Sequence, residues 1–472
     1  VAIEVEGRTV WVRPWLHVLE GVGGGAVPIL LLDTDISEND PADRGITGRL
    51  YGDGVALRLR QEIVLGIGGE RMVRALGFEI ATYHLNEGHA ALLTLSLLRR
   101  HVQTTGVEGG LPYDVELVRE RCVFTTHTPV EAGHDRFDYA LVSRLLGDFI
   151  EPAALRRLAG DDVLNMTRLA LNLSSWVNGV AERHQETAAR MFPGYPIRAV
   201  TNGVHPATWT HPAFARLYTQ LVPHWSHEPE LLGRADQIPD ADIQAAHAQA
   251  KAELLAVIRE TGGQMFDPTL PVIAFARRMT GYKRAHLLLE DPDRLAAIAR
   301  QRPFQVVFAG KAHPHDEPGR ALIAQLLADI QRLRGVVSIA FLPGYDFALA
   351  RKLVAGADLW LNTPQPPMEA SGTSGMKAAM NGVPSLSVLD GWWVEGCIEG
   401  VTGWAIGVEG DAPESHGEAL LDKLEHVVLP LFHDDKAGWT RVMKGAISKV
   451  GAVFTSHRMM RRYAAEAYLS RG

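Results

Sequence analysis

The chain has 472 residues, of which 46% are hydrophobic and 22% charged, and its formal net charge is −8. This length is too great for one hydrophobic core and predicts two or three domains of an ordinary globular enzyme. The acidic balance and the lack of a basic run argue against a nucleic-acid partner. No stretch approaches the roughly 20 apolar residues that span a bilayer, so no membrane partner is predicted.

The cysteine content and the first residue give two further expectations. Cys122 and Cys397 are the only cysteines, too few for a disulfide framework or a thiolate metal site. A reducing cytosol fits this content best, so we predict a cytoplasmic protein. The chain opens at Val1 without methionine, and we expect a fragment whose first domain is incomplete.

Short apolar runs alternate with amphipathic stretches along most of the chain, which is typical of an α/β fold. The loop Gly21–Gly25 precedes a strand instead of joining a strand to a helix, so we predict a hairpin loop and not a phosphate cradle. After Pro271 the alternation is nearly regular and predicts a doubly wound sheet. The predicted strands are Ile29–Asp33, Ala81–Leu85, Cys122–Thr125, Ile197–Thr201, Val272–Ala276, Gln305–Ala309, Val337–Leu342, Asp358–Asn362 and Ser385–Val388. The predicted helices are Gly88–Val102, Asp162–Arg190, Asp240–Thr261, Pro318–Arg334 and His416–Val427.

Polar clusters follow three of the predicted strands in the first half of the chain. They are His84–His89, Thr125–Pro129 and Thr201–Pro206, with Trp209 close behind the last. A single histidine in such a place is more often structural than catalytic. Repetition at successive strand ends favours function, because the carboxyl ends of parallel strands form one edge where α/β sites assemble.

A basic segment follows the predicted strand Val272–Ala276. Within it, Arg277, Arg278, Lys283 and Arg284 lie where a phosphate could be bound, since guanidinium groups bind phosphate oxygens in pairs. The next strand is followed by Gly310–Pro314, whose lysine adds a cation at the same edge. The nearby residues His313, His315 and Asp316 lack a convincing metal-ligand spacing, so a plain loop is favoured and no metal is predicted.

The run Glu369–Lys377 is the most informative stretch. It holds a carboxylate, small hydroxyl residues and two glycines, and it leads from a predicted strand into a short helix. Free N–H groups at a helix start make an anion site. The lysine that ends the run is either a cation that pairs with phosphate or the amine of a Schiff base.

Eight segments in the same order resemble the α-glucan (glycogen, starch, maltodextrin) phosphorylases, in a shorter bacterial or archaeal-type branch. They run from about Arg60 to the C-terminus and read HLNEGHAAL, TTHTPVEAG, VNGVAERH, TNGVHPATW, ARRMTGYKR, GKAHP, FLPGYDFALARKL and EASGTSGMKAAMNG. The resemblance implies two Rossmann-like doubly wound α/β domains in a GT-B-like glycosyltransferase architecture. Residues 1–207 would form a partial glucan-binding domain, and residues 208–472 would bind the cofactor and phosphate.

The resemblance also implies residue roles. Lys377 would carry pyridoxal 5′-phosphate as a Schiff base, and the family uses the phosphate group of this cofactor for catalysis. Arg278 and Lys283 would hold inorganic phosphate, and His127 would act at the reacting sugar, largely through its main-chain carbonyl. The remaining implied contacts are with the cofactor (Tyr345, Trp209, Gly372 and Thr373) and with the glucosyl substrate (Glu369, Ser371, Asn202, Glu87 and His89).

The implied activity is phosphorolysis of the non-reducing-end glucosyl unit of an α-1,4-glucan. Inorganic phosphate would take the glucosyl unit to give α-glucose 1-phosphate with retained configuration, and the cofactor phosphate would relay a proton. A homodimer is one expected assembly, because the family is commonly dimeric.

The chain departs from the family pattern in two places. In the basic segment it has Arg277-Arg278 where the family commonly has Lys-Arg, and Thr280-Gly281 where the family has His-Glu. At the start of the chain, residues 1–58 match no N-terminal glycine-rich loop of the family. Two alternatives stay open at this point: a retaining nucleotide-sugar transferase similar to glycogen synthase, and an inactive glucan-binding fragment.

Overall fold

The computed structural model describes the chain except for Val22, residues 51–53 and 104–109, Gly263, residues 313–315 and residues 470–472. His313 and His315, considered above as metal ligands, therefore lie outside the described residues. Unit 1 comprises Val1–Val180, Gln185–Ala199 and Ala464–Gly472, and unit 2 comprises Ala181–His184 and Val200–Tyr463. The change of unit near residue 200 lies close to the predicted boundary after residue 207, while nothing in the sequence indicated that the last residues return to unit 1.

Unit 1 is built on a parallel sheet whose four strands follow the order β10-β9-β6-β5. Its strands are β1 Ala2–Val5, β2 Arg8–Trp11, β3 Arg13–Glu20, β4 Ala26–Asp33, β5 Tyr83–Asn86, β6 Cys122–Thr125, β7 Arg136–Asp138, β8 Val163–Asn165, β9 Trp176–Gly179 and β10 Ile197–Ala199. Its helices are α1 Pro41–Arg44, α2 Val55–Ile63, α3 Gly69–Ala75, α4 Leu93–Arg100, α5 Val115–Arg121, α6 Tyr139–Leu146, α7 Pro152–Ala159, α8 Met166–Asn172 and α9 Glu182–Met191, of which α9 begins in unit 2.

The antiparallel pairs of unit 1 are β1 with β2, β3 with β4, and β7 with β8. The loop between β3 and β4 is the glycine-rich segment, and Gly21 N donates to Gly25 O at 2.7 Å across it. The prediction of a hairpin loop is thus confirmed.

The prediction of one helix over Asp162–Arg190 is wrong. The segment forms β8, α8, β9 and most of α9. All four residues of β9 are buried, and β9 lies between β6 and β10 in the parallel sheet. Leu169, Leu173, Trp176 and Val180, the apolar residues whose spacing suggested the helix, are buried. Because a buried strand is continuously apolar, its residues satisfied the helical spacing by chance, while Ser174 and Ser175 mark the break before it.

Unit 2 is a doubly wound parallel sheet whose six strands follow the order β13-β12-β11-β14-β15-β16. Its strands are β11 Val272–Ala276, β12 Gln305–Ala309, β13 Ser338–Leu342, β14 Leu359–Asn362, β15 Ser385–Val388 and β16 Gly403–Ile406. Its helices are α10 Pro206–Trp209, α11 Pro212–Leu221, α12 Asp240–Gly262, α13 Pro292–Gln301, α14 Glu317–Arg332, α15 Phe347–Gly356, α16 Ser374–Ala379, α17 Trp393–Gly396, α18 His416–Lys423, α19 Leu429–Asp434, α20 Lys436–Gly445 and α21 Ser456–Arg462.

The strand order of unit 2 reverses between β11 and β14, and ligands of such sheets bind beyond the carboxyl ends of the strands at this switch point. The predicted strands after Pro271 agree with β11–β15, whereas β16 was not predicted. Trp360, Trp393 and Trp404 are fully buried in the unit. Among the described residues, no helix combines the length and apolar character needed to cross a membrane.

Candidate active site

The two loops at the switch point of unit 2 are joined by hydrogen bonds. The loop after β11 contains Lys283 and Arg284, and the loop after β14 begins at Thr363. Thr363 Oγ1 donates to the carbonyl oxygens of Lys283 and Arg284 at 2.9 and 3.0 Å. The Arg284 guanidinium donates in return to Thr363 O and Pro364 O at 3.0 and 2.7 Å. Arg284 is therefore used to build the site, because its guanidinium is bound to the backbone of the neighbouring loop.

Glu369 lies at the centre of the site and pairs with two buried cations. Arg277 Nη2 donates to Glu369 Oε2 at 2.6 Å, and Lys283 Nζ contacts the same oxygen. The three side chains are at most 10% exposed. Burial alone would raise the pKa of Glu369, but the charges of Arg277 and Lys283 outweigh it and hold this pKa below its usual value. The cluster carries one negative and two positive charges when Lys283 is protonated, which suits a further anion.

Burial and the charge of Arg277 lower the pKa of Lys283 to about 7, against the attraction of Glu369. Lys283 is thus charged below pH 7 and loses its proton above it. We expect binding of a dianion at this cluster to weaken as the pH rises, by up to about tenfold in Kd per pH unit above about 7, because each bound anion then needs one added proton. Calorimetric titration with sulfate measures this, since sulfate keeps its two negative charges over the whole range.

The matched variant is Lys283→Arg, because a guanidinium stays charged at these pH values. Its Kd for sulfate should depend less steeply on pH than that of the wild type, and Asp390 should account for the dependence that is left. A wild-type Kd that depends on pH no more steeply than that of Lys283→Arg would contradict the assignment of Lys283 as a titrating cation.

The backbone around Glu369 is held by Asp390, just beyond β15. Asp390 accepts hydrogen bonds from Glu369 N and Gly391 N, both at 2.9 Å. Burial raises the pKa of Asp390 to about 7, although these two N–H donors oppose the shift. Gly391 has a φ of +55°, and a Cβ there would lie 2.5 Å from Ser371 O, so only glycine lets the two loops approach. Sequence reasoning missed Asp390, although it follows a strand end like the residues that were singled out.

Lys377 lies in α16, and its amine lies over an aromatic ring. Its Nζ is 3.9 Å from the centroid of the Trp209 ring. Burial lowers the pKa of Lys377, which increases the share of the neutral, nucleophilic amine. The Trp209 ring packs in turn on Phe347, with 5.1 Å between centroids. Tyr345, two residues before Phe347, is half-buried against the same core cluster as Trp209.

Three buried polar atoms at this edge have no hydrogen-bond partner among the described residues. They are Arg277 Nη1, Thr280 Oγ1 and Ser371 Oγ. All three can donate to phosphate oxygens, and leaving them unpaired costs free energy unless a ligand or a water accepts from them. Arg278, predicted to hold phosphate, is exposed, while its neighbour Arg277 carries the buried contact with Glu369.

Gly372, Thr373 and Asn202 complete the predicted set in unit 2. Gly372 has a φ of +78°, and a Cβ there would lie 3.0 Å from Glu369 Cγ, so glycine is required. Thr373 is the N-cap residue of α16, and its carbonyl accepts from Lys377 N at 3.3 Å. The backbone of Asn202 is fixed by Arg458, whose Nη2 donates to Thr201 O and Asn202 O at 2.9 and 3.0 Å.

Glu87 and His127 lie together in unit 1, at the carboxyl ends of β5 and β6. Glu87 has a φ of +67°, an uncommon conformation for a residue with a side chain. Its Oε2 accepts from His127 N at 2.6 Å and from Thr128 Oγ1 at 3.0 Å, and its Oε1 accepts from Gly88 N at 3.1 Å. The His127 ring contacts Asn86 Oδ1 through Nε2 at 2.7 Å. The Glu87 carboxylate therefore fixes the main chain of the His127 loop.

His89 belongs to a charged cluster with Arg58, Glu62 and Asp135. Arg58 forms ion pairs with Asp135 and Glu62 at 2.9 and 3.0 Å, and it also contacts the His89 ring. Burial opposes protonation of His89, but hydrogen bonds to Asp135 and Glu62 raise its pKa to about 9. Two carboxylates and an imidazole are also metal ligands, but here the guanidinium of Arg58 contacts all three. Sequence reasoning missed Arg58, Glu62 and Asp135, which come from two distant segments, α2 and the residue just before β7.

Each unit has a parallel sheet flanked by helices, and the two units form an α/β protein with two Rossmann-like domains of the GT-B-like class, as the sequence predicted. The family model for the carbohydrate phosphorylases matches residues 61–402. The chain belongs to this family, and the resemblance seen in the sequence is confirmed.

Similar proteins carry names that agree with this family. The chain is 37% identical to the maltodextrin phosphorylase of Thermococcus litoralis over 99% of its own length and 60% of that protein. It is 38% identical to the glycogen phosphorylase of Mycobacterium tuberculosis over 94% of its length and 58% of that protein. It is 34% identical to the glycogen phosphorylase of Aquifex aeolicus, over 99% of its length and 74% of that protein. The chain thus spans about 60% of the length of the first of these relatives.

Proposed function

We propose that this chain carries the machinery of an α-1,4-glucan phosphorylase. The reaction transfers the non-reducing-end glucosyl unit to inorganic phosphate and gives α-glucose 1-phosphate with retention. The observation that carries the proposal is the site of unit 2, where a half-buried lysine amine in α16, two paired cations and a carboxylate follow the two strands of one switch point. Relatives named maltodextrin and glycogen phosphorylase support the choice of substrate.

The residues present fit pyridoxal 5′-phosphate. Lys377 offers an amine whose pKa is lowered by burial, and Trp209 offers an aromatic face beside it. The unpartnered Arg277 Nη1 and Ser371 Oγ offer donors to an anion. When bound, this cofactor supplies a phosphate group that can exchange a proton with inorganic phosphate. Lys377 would hold it covalently, with Trp209 and Tyr345 along its ring and Gly372 and Thr373 near its phosphate.

The charged residues of unit 2 would bind phosphate and orient the sugar. Arg277 and Lys283 both pair with the Glu369 carboxylate, and an incoming phosphate would compete with this carboxylate for the same two cations. Glu369 is then released to accept hydrogen bonds from glucosyl hydroxyl groups, together with Ser371 and Asn202. Arg278, which is exposed, would add a second guanidinium for inorganic phosphate. Fixed cations of this kind would hold the negatively charged phosphate next to the glucosyl carbon, on which positive charge develops.

In unit 1, His127 would act at the reacting sugar through its main-chain carbonyl, and Glu87 would hold that carbonyl in place. Glu87→Ala is expected to lower kcat by about tenfold or more, because the His127 loop loses the carboxylate that accepts from the His127 N–H and the Thr128 hydroxyl. Covalent trapping of pyridoxal 5′-phosphate on Lys377 should not change. Steady-state kinetics and borohydride trapping measure the two effects.

The control for Glu87 is Glu131→Ala, which removes an exposed carboxylate shortly after His127 and Thr128 in the chain. Its kcat should equal that of the wild type. A Glu87→Ala protein with unchanged kcat would exclude the loop-holding role.

The test of the proposed function is phosphate-dependent release of glucose 1-phosphate from maltodextrin by the chain loaded with pyridoxal 5′-phosphate. Product that requires both phosphate and the cofactor supports the proposal. Transfer from a nucleotide sugar would instead support the glycogen-synthase-like alternative, which does not need Lys377 and which the comparisons do not favour. Maltodextrin binding without product would support the inactive glucan-binding fragment. The cytoplasmic location, the absence of nucleic-acid and membrane partners, and the homodimer stay predictions.

A further inference from the structure

Asn381 lies one turn beyond Lys377 and is completely buried. Its Nδ2 donates to Trp209 O at 2.9 Å and to Lys377 O at 3.2 Å. Its Oδ1 accepts from His211 N at 2.7 Å. One side chain thus joins the main chain that carries the Lys377 amine to the main chain at Trp209 and just after it.

These partners fix the orientation of the Asn381 amide. His211 N can only donate, and the two carbonyls can only accept, so the oxygen and nitrogen of the amide have one possible assignment. Both Nδ2 hydrogens are used. An aspartate in this place would turn an oxygen toward two carbonyl oxygens, and an alanine would remove the side-chain partner of three backbone groups, one buried and two part-buried.

The contact bears on the chemistry because it connects the main chain of the two residues, Lys377 and Trp209, whose side chains lie against each other. The Lys377 Nζ lies 3.9 Å from the Trp209 ring centroid, and the two residues are far apart in sequence. A second side chain, Tyr218, also holds this end of α16, since its hydroxyl donates to Met380 O at 2.9 Å. Tyr218 contacts neither Lys377 nor Trp209 through this bond, so it stabilises the helix end without setting the distance between amine and ring.

We propose that Asn381 is a positioning residue, which holds the Lys377 amine against Trp209 in the geometry that captures an aldehyde. The inference rests on the proposed function, because it assigns to Asn381 the placement of the amine that carries the cofactor. In the capture step the neutral amine attacks the aldehyde carbon, one water leaves and a carbon–nitrogen double bond forms. Borohydride then adds hydride to the carbon, and solvent supplies a proton to the nitrogen.

The experiment measures how fast the whole chain captures pyridoxal, the aldehyde without the phosphate group, and pyridoxal 5′-phosphate. Absorbance gives the rate, and peptide mass mapping after borohydride gives the yield at Lys377. We expect Asn381→Ala and Asn381→Asp to slow capture of both aldehydes by about tenfold or more. Tyr218→Phe should stay within about twofold of the wild type, because it removes one buried hydrogen bond of the ordinary size.

A double variant separates positioning from general loosening. If Asn381 acts through the Trp209 contact, Asn381→Ala should have much less effect in a Trp209→Ala background. If the alanine variant does not fold, the capture rate of Asn381→Asp, measured below the unfolding temperature of that variant, replaces it. Equal losses in Tyr218→Phe, or capture within about twofold of the wild type in both Asn381 variants, would overturn the inference. A wild-type chain that captures neither aldehyde would overturn the proposed function itself, and this inference with it.

Discussion

Lys377→Ala is expected to lower glucose 1-phosphate formation by more than about a thousandfold, because it removes the amine that is proposed to hold the cofactor covalently. The amine that is lost lies over Trp209, and burial lowers its pKa. The variant should also lose the absorbance of the bound cofactor. Steady-state phosphorolysis of maltodextrin and a spectrum of the dialysed protein measure the two losses together.

The control for this variant is Lys436→Ala, which removes an exposed lysine at the start of α20. It should keep both the absorbance and the activity. Unchanged turnover in Lys377→Ala would show that the lysine is only a structural or phosphate-pairing cation, the alternative that the sequence left open.

Glu369→Ala is expected to lower the free energy of unfolding of unit 2 by about 3–5 kcal/mol, since Arg277 and Lys283 would remain buried without their counter-charge. Activity should fall as well, because the same carboxylate is proposed to bind the sugar. Urea denaturation, followed by circular dichroism, measures the loss of stability. Glu369→Gln should lie between the alanine variant and the wild type, since it keeps a hydrogen-bond acceptor but not the charge.

The effect of sulfate on the stability of Glu369→Ala tests the same contact more specifically. An anion that binds Arg277 and Lys283 replaces the missing carboxylate, so sulfate should stabilise Glu369→Ala more than it stabilises the wild type. Glu116→Ala, which breaks an exposed pair with Arg119, should change the stability by less than about 1 kcal/mol. Equal stabilisation of the variant and the wild type by sulfate would contradict a shared anion-binding role.

The strands and their carboxyl ends could be predicted from sequence because they depend on local patterns. Buried apolar runs bounded by polar residues gave β11 and β12 to the residue. The rule that ligands bind at the carboxyl ends of parallel strands then pointed to Arg277, Lys283 and the run Glu369–Lys377. The structure brings these residues to one switch point.

The pairing of side chains could not be predicted, because it depends on contacts far apart in the chain. The carboxylate of Glu369 meets Arg277, which lies 92 positions away. Asn381 reaches Trp209 and His211 across 172 and 170 positions. No local pattern distinguishes a buried asparagine with three backbone partners from one in an ordinary loop. Asp390 is different, since its position just after the predicted strand Ser385–Val388 could have marked it as a candidate site residue.

The strand β9 shows how a local pattern can mislead. Its residues Trp176 and Val177 are apolar and lie at helical spacing from the apolar residues of α8. Their pairing with β6 and β10, and not the pattern, decides that they form a strand. A four-residue buried strand between two helices carries too few residues for its period to be distinguished from that of a helix.

Peptide mass mapping tests the central claim most directly. The chain is incubated with pyridoxal 5′-phosphate, treated with borohydride and digested, and each lysine-containing peptide is weighed. We predict that the added mass lies on the peptide containing Lys377, and that it reaches one cofactor per chain. A peptide without added mass, or a spread over exposed lysines with Lys377 unmodified, would contradict the account.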